Sequence, residues 1–257
     1  MDGEFDAMTV GPDPMCPVMA STSTLKMAPF GVNSTCGVTP TMGEGSIAKL
    51  EWTKRVAIAR AAETAGLEAV IPGARWRGYE GESGWCPESY EGIPWAAGIG
   101  EATERIQVFS TIHLPLLHPL RVAKEMATVD HVSAGRCAIN VVAGWNVDEF
   151  AMFGLVQNEH DDRYAQAKES ITILKCLWVE HDEFDFDGRY YQLKSAYTAP
   201  EPVRARPGGS SPPRTPTSAS SPPWTWTAYA DRIGHPRTCR PRRSHRPGVD
   251  NHVRRVR

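Results

Sequence analysis

The sequence predicts an α/β fold built on a parallel sheet, and three observations carry that expectation. Strand-like apolar runs alternate with helical periodicity in four successive units of about 30 residues each. Each run gives way to a loop rich in glycine or polar residues, and in α/β proteins sites lie at the C-terminal ends of strands. The stretch Gly135 to Gly154 is the most informative. Within it Cys137-Ala-Ile-Asn-Val-Val142 reads as a strand buried on both faces, and it breaks abruptly at Ala143-Gly144 before Trp145, Asn146, Asp148 and Glu149.

Taken in order, residues 1–28 are rich in Pro, Ser, Thr and Met without periodicity and read as a disordered leader. Phe30 to Thr35 is expected to be the first strand. Trp52, Val56, Ala59, Ala62 and Ala65 then recur at helical spacing, with Gly66 where a helix-ending glycine belongs. Leu67 to Ile71 is the second strand, followed by a long loop carrying Arg75, Trp76, Arg77 and Tyr79. A helix is expected over 88–103, a strand over 106–112, and a third helix over about 120–132. The strand beginning at Cys137 follows, and then a helix from about 161 to 179 with Tyr164, Ala167, Ile171, Leu174 and Trp178 on one face. Phe184 to Leu193 alternates around Asp187-Gly188, the pairing that most strongly signals a hairpin. A small antiparallel insertion is expected over 183–198.

The overall net charge of −2 hides a split. Residues 1–203 carry 16 Lys and Arg against 28 Asp and Glu, whereas 204–257 carry 12 Arg, 2 Asp and neither Lys nor Glu. The last segment also holds 9 Pro and few large apolar residues, too few to offset its ordering entropy. Such composition is what a GC-rich gene yields when read out of frame; the alternative is a basic tail for nucleic acid. Lysine, helical periodicity and repeated Arg-Gly spacing are all missing from it, so nucleic-acid binding is not expected. The domain reading is therefore a leader (1–28), a barrel-type domain (29–203) and an Arg/Pro-rich tail (204–257).

The six cysteines form neither a C-x-x-C pair nor a metal spacing, which points to a reducing compartment. No apolar run approaches the ~18 residues that a membrane helix needs, and nothing resembles a secretory signal. A cytoplasmic location is expected.

Several residues can carry chemistry, each with a plainer alternative. Asn140 inside a buried strand must be hydrogen-bonded, either as a core amide or toward a ligand. Asp148 and Glu149 suit the first turn of any helix. Arg163 and Tyr164 fit a helix surface and its core. His113 and His118, beside prolines, read as capping residues or as site residues. Arg75 and Arg77 on a glycine-rich loop are the most site-like cations, since cationic loops at strand ends meet anions. The sequence contains no Ser/His/Asp array, phosphate-binding glycine loop or metal cluster.

Several motifs in order nevertheless resemble one family. They are Arg75-Trp-Arg-Gly-Tyr79, Ala123 to His131, Ser133-Ala-Gly-Arg136, Asn140-Val-Val-Ala-Gly-Trp145, Asp148-Glu149-Phe150, His160-Asp-Asp-Arg-Tyr164 and Phe186-Asp-Gly188-Arg-Tyr-Tyr. Over 29–203 the chain is similar to the bacterial luciferase-like flavin-dependent monooxygenases, in the branch of the pyrimidine, dimethylsulfone and alkanesulfonate enzymes. The resemblance implies a (β/α)8 TIM-type barrel binding reduced FMN at the strand C-termini. Ala74, Arg75, Asn140, Glu149, Arg163 and Tyr164 match the cofactor contacts, and His113, Trp145 and the 73–90 loop fall on the substrate side. It also implies O2 as co-substrate, a small organic substrate, a separate flavin reductase and, in full-length relatives, a homo-oligomer. Some relatives hold a non-prolyl cis peptide near Val142 to Gly144. A deazaflavin-dependent oxidoreductase of the same superfamily and a non-catalytic fragment with a basic tail are the alternatives.

The chain departs from the pattern after Val203, where relatives continue with a Pro-Pro-Ile-Met-Asn-Ala-Gly type strand. Only about four βα units and the hairpin are then expected, and Ser210 and Ser211 have no strand to deliver them to a phosphate. A chain so built is expected to aggregate and to bind FMN weakly.

Overall fold

The computed structural model describes residues 17–35, 49–80, 86–179, 182–203 and 240–241. In chain order the elements are α1 (Pro17–Ala20), α2 (Trp52–Thr64), β1 (Ala69–Val70), α3 (Gly92–Ala102), β2 (Gln107–His113), α4 (Pro119–Val132) and β3 (Cys137–Val142). They continue with α5 (Val147–Met152), α6 (His160–Val179), β4 (Phe184–Asp187), β5 (Gln192–Ala196) and β6 (Arg240–Pro241). A 3-10 turn, Leu114–Leu116, lies between β2 and α4.

The main sheet is parallel, in the order β1-β2-β3, with Val108 to His113 registered against Cys137 to Val142. Phe30 bridges Ile71 in parallel and extends the sheet beyond β1. The expected first strand is therefore two isolated bridges, Phe30 with Ile71 and, antiparallel, Ser34 with Ser89, rather than a run. Its backbone turns away at once: Ser34 N–H bonds Gly31, and the buried Asn33 side chain spends its hydrogen bonds on Gly73 and Tyr90.

Side chains alternate across the sheet, and the two faces have different fates. Val70, Val108, Ile112, Cys137 and Ile139 join the main core beneath α2, α3, α4 and α6. Ala69, Phe109 and Ala138 form a small separate cluster on the other face. Val18 of α1 packs against that cluster, so residues of the expected leader lie over the sheet, and Ser21 and Met27 both hydrogen-bond Glu68. Further along the same inner face come Thr111, His113 and Asn140, where the lining changes from apolar to polar.

The helices form for the reasons their spacing suggests. α2 ends in Gly66 at φ +78°, a left-handed conformation that favours glycine. α3 starts four residues later than the periodicity indicates, because the Glu91 side chain caps it by accepting from Ile93 N–H at 2.8 Å. α6 docks on α4 through the buried Trp178, whose Nε1 donates to the Ala123 carbonyl at 3.1 Å. At the N-terminal end of the sheet Arg136 bonds Gly100, Thr103 and Ile106, stapling the α3 exit to the start of β3.

β4 and β5 pair antiparallel within the expected insertion. The turn between them runs from Gly188 to Tyr191 rather than over two residues, and its order comes from α6. The Glu169 carboxylate accepts from the backbone N–H groups of Arg189, Tyr190 and Tyr191 at 2.8, 2.9 and 3.3 Å. β6 adds to the other edge of β4. Cys86 and Cys137 are buried, while Cys176 is disulfide-bonded, which the cysteine spacing did not indicate. No helix among the described residues is long and apolar enough to cross a membrane. Apart from Arg240 and Pro241, the tail from residue 204, including Ser210 and Ser211, lies outside the described residues.

Candidate functional site

The polar residues gather where the strands of the sheet end. β1 leads through Pro72 into the loop bearing Ala74 and Arg75, β2 ends at His113, and β3 ends two residues after Asn140. The break after β3 is made by Gly144 at φ +80°, where a Cβ would come within 2.7 Å of the Phe150 ring. Among the described residues the cis peptide is Ala199–Pro200, so the Val142 to Gly144 break is made by a trans chain turning at glycine. Asn146 then caps α5, accepting from Asp148 N–H at 3.1 Å, and Glu149 in the first turn points inward.

Glu149 is the centre of this arrangement and is 1% exposed. Its Oε1 accepts from Trp76 N–H at 3.0 Å and lies 3.4 Å from Arg75 Nη1. Its Oε2 faces His113 Nδ1 at 3.4 Å, and neither of these two buried atoms has a hydrogen-bond partner. A buried carboxylate needs a cation to offset its lost hydration, and Arg75 supplies it. Burial holds the His113 pKa below its ordinary value, opposed by the Glu149 charge and reinforced by Arg75. The imidazole is therefore neutral at pH 7.

Arg75 also lies over two aromatic rings, 4.5 Å from the Trp145 ring centroid and 5.2 Å from that of Tyr79. The two rings stack at 6.1 Å with their planes 23° apart. Trp145 is half exposed and closes the outer side of the cluster. Next to it the loop 75–78 and residues 86–90 enclose a cavity of about 350 Å3. A smaller cavity on the inner side is lined by Ala74, Arg75, Glu91, Thr111 and His113.

Asn140 is half buried and donates from Nδ2 to Thr111 Oγ1 at 3.1 Å. Arg163, in the first turn of α6, donates from Nη1 to the Gly144 carbonyl, and its Nε is buried without a partner. Tyr164 is partly exposed and packs against the His160 ring at 4.6 Å. The sequence-selected residues thus fall into two groups. Ala74, Arg75, His113, Trp145 and Glu149 are drawn together, with Asn140 beside them on β3. Arg163 clasps the far side of the Gly144 turn and Tyr164 sits outside it. Thr111 and the Trp76 N–H were not singled out as site groups. A threonine in a strand looks like an ordinary β-former, and a backbone N–H leaves no trace in sequence.

The chain matches the luciferase-like monooxygenase family over residues 28–233, which runs past Val203. It belongs to that family. The FMNH(2)-dependent dimethylsulfone monooxygenase of Pseudomonas putida is 34% identical over 160 residues, covering 60% of this chain and 42% of that protein. The pyrimidine monooxygenase RutA of Caulobacter segnis is 31% identical over 151 residues, covering 58% and 43%. This luciferase-like chain therefore spans less than half the length of the curated relatives it matches.

Among solved structures, EDTA monooxygenase from Chelativorans sp. BNC1 superposes with a TM-score of 0.61 at 20% identity, covering 70% of this chain and 49% of that one. A riboflavin lyase structure holding modified FMN and riboflavin gives 0.63 at 23%, covering 72% and 49%. At such identities the likeness concerns the fold, which is of the luciferase-like, TIM-barrel type.

Proposed function

We propose that this chain carries part of the cofactor site of a reduced-FMN-dependent monooxygenase acting on a small organic substrate with O2 in the cytoplasm, with a separate reductase supplying the flavin. We read the sheet as the first four βα units of a (β/α)8 barrel. Membership of the family supports this reading, as do the relatives named for FMNH(2)-dependent oxygenation. The observation that carries it is the convergence of Arg75, His113, Asn140 and Glu149 at the C-terminal ends of parallel strands, where barrel enzymes keep their sites.

The residues present suit FMN. With one N–H spent on Thr111, Asn140 retains its amide oxygen and a second N–H, a neutral pair for the polar edge of an isoalloxazine ring. Arg163 presents a buried, unpartnered Nε beside the first turn of a 20-residue helix, a setting that favours a phosphate. The Gly144 turn lets backbone approach a flat ring closely. Asp161 and Asp162 in the same first turn oppose an anion, and Asp162 is partly offset by Arg189 at 3.0 Å.

In the proposed site each group of the chain has a separate task. The Glu149–Arg75 pair holds the 74–79 loop against the end of β3, fixing one wall. Neutral His113 offers a ring nitrogen that can take up or return a proton beside that wall. Trp145 and Tyr79 stack on each other and cover Arg75 with their rings on the outer side of that wall. Bound reduced FMN supplies the oxygen chemistry, which no side chain here can perform.

Anaerobic titration with FMNH2, and with oxidised FMN by fluorescence quenching, tests the reading. Saturable binding weaker than low micromolar is expected for this chain. Asn140→Ala and Arg163→Gln each weaken it by about tenfold, the effect of ~1.4 kcal/mol. Absence of saturable binding, or binding indifferent to both substitutions, overturns the proposal.

A further inference from the structure

We infer that Thr111 is a positioning residue whose hydroxyl fixes the orientation of the Asn140 amide, and so which groups that amide offers to a ligand at the end of the sheet. As far as the ligand is a flavin, the inference rests on the FMN reading above.

The argument begins with the pleat. Thr111 of β2 and Asn140 of β3 are registered partners in a parallel pair, so their side chains leave the sheet on the same face. That face is the one opposite α2, α3, α4 and α6, beyond the apolar cluster of Ala69, Phe109 and Ala138. Thr111 is 3% exposed. At a buried strand position valine has nearly the same shape and no polar cost, so a hydroxyl here must be hydrogen-bonded.

It is bonded on both sides. Thr111 Oγ1 donates to the Pro72 carbonyl, on the chain leaving β1, and accepts from Asn140 Nδ2 at 3.1 Å. A hydroxyl has one proton and two lone pairs. With that proton committed to Pro72, the oxygen can only accept on its other side. Asn140 must then turn its NH2 group toward Thr111. The reverse orientation would set the Asn140 oxygen against a threonine oxygen with no proton to share.

The result is a rung of side-chain hydrogen bonds across three neighbouring strand ends, from Pro72 through Thr111 to Asn140. It leaves Asn140 with its oxygen and one N–H, in a fixed order, for whatever occupies the end of the sheet. The polar edge of an isoalloxazine presents an N–H between two carbonyls, so a fixed order of acceptor and donor selects how the ring is placed. The same rung begins at Pro72, two residues before Ala74 and Arg75. Thr111 thereby links the loop that carries Arg75 to the strand that carries Asn140.

The test uses the full chain with 15N-labelled asparagine, in wild type and in Thr111→Val, Thr111→Ala and Thr111→Ser. The Asn140 side-chain amide is assigned by its loss in Asn140→Ala. In wild type and Thr111→Ser one Nδ2 proton should exchange with solvent more slowly than its twin. Both variants lacking the hydroxyl should lose that difference, and the alanine variant keeps the test open if the valine variant fails to fold.

FMN affinity provides the second readout. Thr111→Val should weaken binding by about fivefold to tenfold, in keeping with the loss of one hydrogen bond, while Thr111→Ser stays within about twofold. Combined with Asn140→Ala, Thr111→Val should add nothing further, because both act through one amide. A slow Asn140 proton that survives Thr111→Val, or effects that add in the double variant, overturns the inference. If FMN does not bind, or binds without regard to Asn140, the flavin reading fails, and the amide exchange alone then decides the role of Thr111.

Discussion

Glu149 is the residue on which the candidate site turns, because its charge is buried and its partners come from separate loops and strands. Trp76 N–H and Arg75 take one oxygen and His113 faces the other. Glu149→Gln keeps an acceptor for the Trp76 N–H but leaves Arg75, only 15% exposed in its side chain, without its counter-charge. Breaking a buried pair from one side costs about 3–5 kcal/mol, so urea unfolding should lose stability of that order, whereas Glu80→Gln beside exposed Arg77 should lose under about 1 kcal/mol. His113 adds a pH dependence whose sign follows from its lowered pKa. As pH falls below the ordinary histidine value of about 6.5, the unfolded chain takes up a proton before the folded one does. The stability present at neutral pH is therefore lost on acidification through that window and below it. Glu91 works the other way: burial raises its pKa, so its contribution is present below the ordinary carboxylate value and fades as pH rises through the raised one. Thermal melts from pH 7 to pH 5 should fall in wild type and flatten in His113→Gln; an unchanged slope would remove His113 as the cause.

Among the elements, the hairpin shows most clearly how one part of the chain orders another. Three of its turn's four backbone N–H groups, those of 189–191, share one acceptor, the Glu169 carboxylate of α6, and the fourth, of Gly188, bonds the Tyr191 carbonyl. Glu169→Ala should destabilise the hairpin by about 1–3 kcal/mol, read as faster amide exchange at 189–191 with α2 and α4 unaffected. Equal protection in both proteins would mean that the turn orders itself. That device lay hidden in the sequence, where Asp187-Gly188 announced a hairpin but Glu169 looked like any helix-surface acid. α2 and α6 were legible because their apolar residues recur at helical spacing, and the buried run of β3 because it is bounded by a turn and a break. The run 30–35 was misleading for a physical reason: the side chains of Asn33, Ser34 and Thr35 bond neighbouring backbone and draw the chain out of the strand. Arg75, Asn140 and Glu149 could be picked out through their motifs. That His113 meets Glu149, or that Thr111 holds Asn140, depends on register between strands and on loop closure, which a linear pattern does not encode.

At the scale of the whole molecule, the sheet and the surface beside it bear on how the chain behaves in solution. Among the described residues β3 pairs with β2 and is the outermost strand of the parallel sheet. An apolar edge strand without charge, proline or bulge is a template for pairing with another chain. Just beyond that edge Trp145, Val147, Met152 and Val156 are 50, 60, 55 and 89% exposed. Scattered apolar residues are ordinary on a surface, but six within twelve positions, with Phe153 and Leu155 joining these four, just after the outermost described strand, favour association. The chain should therefore self-associate at micromolar concentration, giving a sedimentation coefficient that rises with loading. Val147→Glu together with Val156→Glu distinguishes the two causes. If the apolar surface drives association, the charges reduce it several-fold; if the strand edge does, they leave it nearly unchanged. Ligand binding provides an independent arm, since anything that binds the folded monomer alone shifts the equilibrium toward it by mass action. Addition of FMN should then lower the sedimentation coefficient in wild type and not in Asn140→Ala. A chain that sediments as a single monomer at every concentration, with or without FMN, would mean that both the edge and the apolar surface are covered from within the molecule.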